Sequence, residues 1–164
     1  MGKRSALPLF LKTCTCRLIV NTCHCHFAEL KDTQTLGRQD PYCVITPMDS
    51  SQSPMTEERL QTKVHVDGGR NPRWNEIAVV NLTDKHMLWV RIDIWNRNNI
   101  NDDSYIGRVR VPLQTVVQNG VDKMQLPVFR PSGKQKGWMS VTLRYIPEAS
   151  RNIQVCLIGI ELLV

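Results

Sequence analysis

The side chains best suited to chemistry in this sequence are the cysteines and histidines near its start. They form two Cys-x-Cys pairs, the second interleaved with histidines: Cys14, Cys16, Cys23, Cys25, His24 and His26. Thiolate and imidazole are preferred zinc ligands. In a strand, however, alternation sends the second cysteine pair to one face and the histidines to the other, so these four cannot enclose one tetrahedral ion. We therefore interpret the cysteines as small apolar side chains, kept reduced in a cytosolic strand.

Catalytic chemistry has little support in the sequence. There is no Ser, His and acidic set in a recognisable context and no glycine-rich loop that could cradle a phosphate, and Gly68-Gly69 is better interpreted as a turn. His65 and His86 are interpreted as surface residues. These observations predict a protein that is not an enzyme, has no small-molecule substrate and acts by binding.

The elements that must position any binding site are short strands. Eight apolar or alternating runs are separated by turn-rich segments, and none has a convincing helical periodicity. The runs are 16–27, 42–46, 60–66, 76–82, 87–95, 105–111, 123–128 and 137–145. Only the residues around 116–120 suggest a helical turn. The sequence therefore predicts an all-β fold, an eight-stranded antiparallel β-sandwich.

Two of these runs make specific predictions about which side chains face the core. In 87–95, Leu88, Val90, Ile92 and Ile94 alternate with Trp89, Arg91, Asp93 and Trp95, as in a half-buried antiparallel strand. In 60–66, Leu60, Val64 and Val66 are expected to point inward, while Arg59, Lys63 and His65 point outward. The second pattern predicts a basic stripe on the outer surface.

Length and charge limit the possible partners. A chain of 164 residues suffices for one domain with flanking tails, and no run approaches the ~20 apolar residues of a membrane-spanning helix. The net charge of +6 lies at the two ends of the chain. Residues 1–28 carry four basic and no acidic side chains, and residues 129–164 carry five basic and two acidic ones. This distribution favours basic tails that contact an anionic surface over nucleic-acid binding. We expect a cytoplasmic location, with a mitochondrial targeting segment as the alternative for the acid-free start.

Four ordered blocks of residues resemble the C2 domain, the β-sandwich of protein kinase C and synaptotagmin. They are Leu30 with Gly37 to Tyr42, then Asn71 to Glu76, then Ile94-Trp95 with Tyr105 to Gly107, and finally Gly137 to Pro147. The resemblance implies a Greek-key sandwich over residues 16–147. It leaves unexplained a basic extension at 1–15 and a hydrophobic tail at 148–164. It also implies the phospholipase-type circular permutation (type II topology), with three loops at one end forming a calcium-binding tip.

The calcium-binding residues of this family are largely replaced here. The family pattern offers five aspartates, and the matching positions are Gln34, Asp40, Asn96, Asn98 and Ser104, with Asp103 beside the last of them. Tight calcium sites need several carboxylates, since their charge offsets that of the ion. The three tip loops also contain as many basic as acidic residues, five of each. We therefore expect no cofactor, and calcium to bind weakly at most.

Two kinds of partner are consistent with these features. The first is an anionic phospholipid membrane, contacted through two apolar tip residues and a cationic strand face: Leu36, Ile100, Arg59, Lys63, His65 and Arg91. The second is a protein complex, in which the chain is a structural or adaptor subunit of a cytoskeletal, flagellar or mitochondrial assembly. The apolar tail motivates this alternative, through Val155, Leu157, Ile158, Ile160, Leu162 and Leu163.

Overall fold

The structure is a computed structural model, and it describes residues 16–22, 30–34, 37–49, 51, 53–54, 60–82 and 89–147. These residues form eight strands and one short helix. In chain order they are β1 (Cys16–Thr22), β2 (Asp40–Met48), β3 (Leu60–Gln61), β4 (Glu76–Leu82), β5 (Trp89–Arg97), β6 (Ser104–Pro112), α1 (Gln114–Asn119), β7 (Val121–Phe129) and β8 (Gln135–Ile146). Each of the eight predicted runs overlaps one of these strands.

The strands make two antiparallel layers. The hydrogen-bonded order is β3-β2-β5-β6-β7-β8-β1-β4. Seven or more residue pairs join each of β2–β5, β5–β6, β7–β8 and β1–β4, whereas β6 and β7 share the single pair Arg108 and Phe129. The sheet is therefore continuous only through this narrow junction, and its two halves fold over each other as a sandwich. The predicted fold class is confirmed.

The order of the strands follows the predicted permutation. β1 leads through the first loop into the Asp-Pro-Tyr strand β2, and β8 ends the described domain beside β1. Between β6 and β7, the turn expected around residue 116 is the helix α1, which ends at Gly120. The amide of Gly120 donates to the carbonyl of Val116, and Gly120 has a positive φ of 80° that glycine adopts without strain.

The core lies between the two layers and follows the alternation in β5. Val90, Ile92 and Ile94 are fully buried, and the facing β6 residues Val109 and Val111 complete this part of the core. Leu88 lies outside the described residues. Because side chains alternate along a strand, the neighbouring residues of β5 face outward, where they form a charged and aromatic surface.

β3 is much shorter than the predicted run of 60–66. Beyond Gln61, a regular ladder would require an amide from Pro41, which proline lacks. Irregular bonds replace it: the amide of Cys43 donates to Thr62 Oγ1 at 2.9 Å, and the amide of His65 donates to the Pro41 carbonyl at 2.9 Å. Regular pairing is thus lost at Thr62, whose hydroxyl accepts the Cys43 amide, and Pro41 has no amide with which to resume it.

The predicted inward orientation of Val66 is wrong. Its side chain is 69% exposed, because the chain has left the sheet and turns at Val66 and Asp67. The Gly68 amide closes this turn on the His65 carbonyl at 3.0 Å. Asp67 has a positive φ of 54°, and its amide donates to Asp40 Oδ1 at 2.7 Å. The hydrogen bond holds the turn in place with Val66 toward solvent.

Gly107 makes the junction between the two layers possible. A Cβ at this position would lie 2.7 Å from the carbonyl oxygen of Phe129, which is closer than a real Cβ approaches an oxygen. Glycine is therefore required for the single β6–β7 pair to form. The bulge between β5 and β6 lies beside it, where the register shifts between Ile94 and Trp95.

We expect Gly107→Ala to destabilise the protein by about 1 to 3 kcal/mol, since the backbone must move to admit the methyl group. The measurement is the free energy of unfolding in urea. Gln125→Ala, at an exposed strand position on β7, should change it by less than about 0.5 kcal/mol. Equal stability of the Gly107→Ala variant and the wild type would show that the junction has more room than the structure gives it.

Candidate functional site

Three loops meet at one end of the sandwich, and we call them the tip: residues 30–39, 62–75 and 98–103. Strand register brings them together. Asp40, the first residue of β2, pairs with Arg97 at the end of β5, and Asn96 pairs with Ser104 at the start of β6. Five of the six residues predicted for the degenerate calcium site are placed by this register, because each stands at or beside a strand end, whereas Gln34 lies within the first loop. Leu36 lies outside the described residues.

A buried glutamine ties the first loop to the second. Gln39 is fully buried, and its Nε2 donates to the Gly69 carbonyl at 2.9 Å. Its Oε1 accepts from the amide of Thr33 at 3.2 Å. The Leu30 amide also donates to the Arg70 carbonyl at 3.1 Å. These bonds satisfy the polar atoms of a buried side chain and fix the two loops relative to each other.

The predicted calcium-site residues form a hydrogen-bonded network with one another. Asn96 is fully buried at its centre. Its Oδ1 accepts from the Asp40 amide at 2.7 Å, and its Nδ2 donates to Gln34 Oε1 at 3.3 Å and to Asn98 Oδ1 at 3.0 Å. Asn98 in turn donates from Nδ2 to Ser104 Oγ at 2.9 Å. The Nδ2 groups of Asn96 and Asn98 thus donate hydrogen bonds at places where a bound cation would need oxygen lone pairs.

The remaining carboxylates of the site are also engaged in protein contacts. Asp103 Oδ2 accepts from the Tyr42 hydroxyl at 2.7 Å, and its Oδ1 accepts from the Asn98 amide at 3.0 Å. These bonds, the tyrosine one foremost, lower the pKa of the Asp103 carboxyl. Burial, aided by the adjacent carboxylate, raises the pKa of Tyr42 to about 12. The guanidinium of Arg97 lies 5.9 Å from the centre of the Tyr42 ring.

The six predicted site residues therefore come together, but as a set dominated by neutral amides. Among the described residues, no group of three or more His, Cys, Asp or Glu side chains is arranged to hold a metal ion. Beside the network lies a polar cavity of about 390 Å³. It is lined by residues of the first and third loops and of the adjoining strand ends: Thr33, Gln34, Asp40, Arg97, Asn98, Asn99, Ile100, Asn101 and Ser104. Arg97 brings a positive charge to this cavity.

The predicted lipid-contacting residues differ in their availability. Ile100 is 94% exposed on the third loop of the tip, and Lys63 is exposed on the second loop. His65 is half-buried, and its Nδ1 accepts from the Arg73 amide at 2.8 Å. His65 therefore stabilises the second loop, whereas the sequence predicted an exposed position on a basic stripe. Arg59 lies outside the described residues.

Arg91 is committed to a neighbouring carboxylate. Its Nε lies 2.7 Å from Asp93 Oδ2, and Asp93 is nearly buried although it stands on the outer face of β5. Tyr105 donates to the other oxygen of Asp93 at 2.9 Å, and Arg108 lies 3.4 Å from it. The outer face therefore carries an internally bonded cluster. Arg108 and Arg110 were not among the predicted cationic residues, although the alternation Arg-Val-Arg in β6 indicates that both face outward.

Several predicted features lie outside the described residues. They include the Cys-x-Cys segment beyond Cys16, the basic extension at 1–15 and the tail at 148–164 with its partner-binding residues, Val155, Leu157, Ile158, Ile160, Leu162 and Leu163. Within the described ranges, the chain has no helix of the length and apolarity needed to cross a bilayer.

The fold and the tip define a C2 domain. The family model for the C2 domain matches residues 16–128, so the chain belongs to the C2 domain family, and the resemblance drawn from the sequence is confirmed. A relative is tricalbin-2 of Saccharomyces cerevisiae, 24% identical over 117 residues, which make up 71% of this chain and 10% of tricalbin-2. The chain thus spans about a tenth of that relative.

Solved C2 domains have the same fold. A C2 domain of plant extended synaptotagmin 1 superimposes with a TM-score of 0.65 at 18% identity, over 80% of this chain and 94% of that one. The calcium-bound pair of C2 domains from extended synaptotagmin 2 matches with a TM-score of 0.62 at 16% identity, over 82% of this chain and 46% of that one.

The closed network predicts that Asn96→Asp is destabilising. The substitution replaces a buried donor by an ionised acceptor that faces two other acceptors, Gln34 Oε1 and Asn98 Oδ1, and should cost at least about 2 kcal/mol of unfolding free energy. Asn99→Asp, the same chemical change at an exposed tip position, should change stability by less than about 0.5 kcal/mol. Urea unfolding in metal-free buffer measures both. Comparable effects of the two changes would mean that Asn96 donates no essential bond.

The contact between Tyr42 and Asp103 predicts an alkaline transition. The folded protein holds the Tyr42 proton up to a pKa of about 12, against 10.0 for an ordinary tyrosine. Because the folded pKa is the higher one, this contribution to stability is complete below pH 10 and is lost as the pH rises toward 12. The difference in phenolate absorbance between wild type and Tyr42→Phe should show one group titrating near pH 12. A group titrating near pH 10 would contradict the assignment.

Proposed function

We propose that this C2 domain binds anionic membranes without a requirement for calcium, and that its tip makes the contact. The observation that carries the proposal is the amide network around Asn96. A calcium site must offer oxygens that are free to coordinate. Here the side-chain amides of Gln34, Asn96 and Asn98 are hydrogen-bonded to one another. With these positions neutral, an ion would have to break existing hydrogen bonds for little charge compensation.

Attachment then depends on groups that are permanently present at the tip. Two large apolar side chains project from neighbouring loops, since Val66 and Ile100 are 69% and 94% exposed. Burying each contributes about 1.5 to 3 kcal/mol. Arg97, which ends β5 and lines the same cavity as Ile100, can contact lipid headgroups, and a basic residue near an anionic surface contributes about 1 kcal/mol. Insertion and charge together support reversible binding.

The C2 family membership supports a binding role rather than catalysis, because the matched residues 16–128 make up most of the chain and contain the tip. The activity of tricalbin-2 as a whole forms no part of this proposal, since the similarity covers a tenth of that protein. We propose that the present chain contributes membrane attachment alone, at the cytoplasmic face of a membrane.

Vesicle flotation of the full chain tests the calcium part of the proposal. Binding to vesicles containing phosphatidylserine should be equal in millimolar calcium and in chelator, and should weaken as salt rises, because screening reduces attraction between exposed charges. A calorimetric titration with calcium should give no saturable heat. Flotation that requires calcium would refute the proposal, and absence of flotation under all conditions would favour the adaptor alternative.

Variants of the two apolar residues test the insertion. Val66→Asn and Ile100→Asn should each reduce vesicle affinity about tenfold or more, since each removes at least about 1.4 kcal/mol of apolar burial. Val117→Asn alters an exposed valine on α1, away from the tip, and serves as the matched control. Unchanged affinity of both tip variants would exclude the tip as the inserting surface.

A further inference from the structure

The strand β4 presents an open edge of the sheet. Among the described residues it pairs only with β1, over seven residues, and it stands last in the strand order. Backbone N–H and C=O groups of a strand point alternately to its two sides, so along 77–82 those on the far side of β4 face away from the sheet. Such an edge can accept a further strand.

This edge lacks the features that usually prevent strand addition. After Glu76, β4 reads Ile-Ala-Val-Val-Asn-Leu, with no charged residue and no proline, and its register with β1 continues without a bulge. Charges, prolines, bulges and short length are the common protections of an edge strand. The opposite edge strand, β3, is only two residues long. Of the two edges, β4 is therefore the one that needs a cover.

The side chains of β4 define what an added strand must look like. Ile77 and Val79 are 66% and 45% exposed on the outer face. Alternation turns Ala78 and Val80 the other way, where they contact or belong to the core. A strand added at this edge would lie beside aliphatic side chains on both faces. It should therefore be uncharged and aliphatic on both of its own faces.

The segment 153–160 of this chain meets these requirements. It reads Ile-Gln-Val-Cys-Leu-Ile-Gly-Ile, without a charge or a proline, and its eight residues match the seven of β4 in length. In a strand, Val155 and Leu157 would lie in one row and Ile158 and Ile160 in the other. Both rows contain large aliphatic side chains, so either row suits the core side.

The end of β8 delivers this segment to the correct end of β4. Ile146 pairs with Arg17, and Arg17 pairs with Asn81, close to where β4 ends. A strand added beyond β4 would lie three strand spacings from β8, which is about 14 Å. The five residues 148–152 can span about 17 Å when extended. The segment would then run back along β4, antiparallel to it.

We propose that residues 153–160 bind the edge of β4 in the same chain, as an additional antiparallel strand. In this mode of binding, backbone hydrogen bonds provide affinity and alternate side chains provide specificity. A linker of five residues holds the segment at an effective concentration on the order of millimolar, which favours the same chain over a second copy. The apolar tail thus completes the sandwich instead of recruiting a partner protein.

Hydrogen exchange of the full chain, resolved by peptide, tests the added strand. Successive amides of a strand point to opposite sides, so Leu157→Pro combined with Ile158→Pro must remove one amide that faces β4. Amides of 153–160 should exchange at least about tenfold faster in this double variant than in wild type. The matched control, Ala149→Pro combined with Ser150→Pro, places the same prolines in the linker. It should stay within about twofold of wild type.

A variant of β4 tests where the segment binds. Val79→Lys introduces a charge on the edge and should accelerate exchange of 153–160 at least about tenfold. Val117→Lys is the matched control, because Val117 lies on α1 and is 46% exposed, against 45% for Val79. It should leave the exchange of 153–160 unchanged. Slow exchange of the buried β5 amide of Ile92 in each variant shows that the sandwich is still folded.

Light scattering at several protein concentrations distinguishes the occupants. A monomer in which 153–160 exchange slowly at every concentration supports the proposal. A dimer in which their protection increases with concentration would overturn the same-chain assignment and identify an exchange of tails between two copies. Fast exchange of 153–160 in wild type would overturn the added strand. Release by the prolines but not by Val79→Lys would overturn β4 as the binding edge.

Discussion

The antiparallel pairing of β2 with β5 is the constraint on which both the core and the tip depend. Nine residue pairs, from Asp40–Arg97 to Met48–Trp89, fix one register. A shift by one residue would turn Val90, Ile92 and Ile94 toward solvent, so burial of these side chains determines the register. The same register brings Asp40 to Asn96. The apolar alternation in the middle of β5 therefore decides which polar groups meet at its end.

At the tip, side-chain amides take over a stabilising role that charge plays in a metal-binding C2 domain. An amide contains both a donor and an acceptor, so Gln34, Asn96 and Asn98 can satisfy one another. Several carboxylates in the same positions would repel each other unless a cation lay between them. The amide network thus links stability to the proposed function, in which exposed apolar groups and arginines at the tip, rather than a bound ion, make the membrane contact.

The outer face of β5 and β6 shows the opposite balance. There a single nearly buried carboxylate, Asp93, lies among several guanidinium groups, and the tyrosine hydroxyl between Asp93 and Arg108 extends the network. The β7–β8 hairpin can approach this face at β6 because Gly107 has no side chain. A packing requirement at the layer junction thus decides how closely the hairpin lies to β6.

The sequence by itself determined the strands, the burial pattern of β5, the C2 family and the residues at the tip. These depend on local patterns, because alternation and turn chemistry are properties of neighbouring residues. Tertiary structure decided the rest. β3 ends after two residues, and the turn that follows places Val66 at the tip surface instead of in the predicted core. The approach of the first loop to the end of β5 joins Gln34 to Asn96. Arg130 meets Arg108 only through a hairpin more than twenty residues away along the chain. Such contacts arise from register and packing between distant segments, which no local pattern encodes.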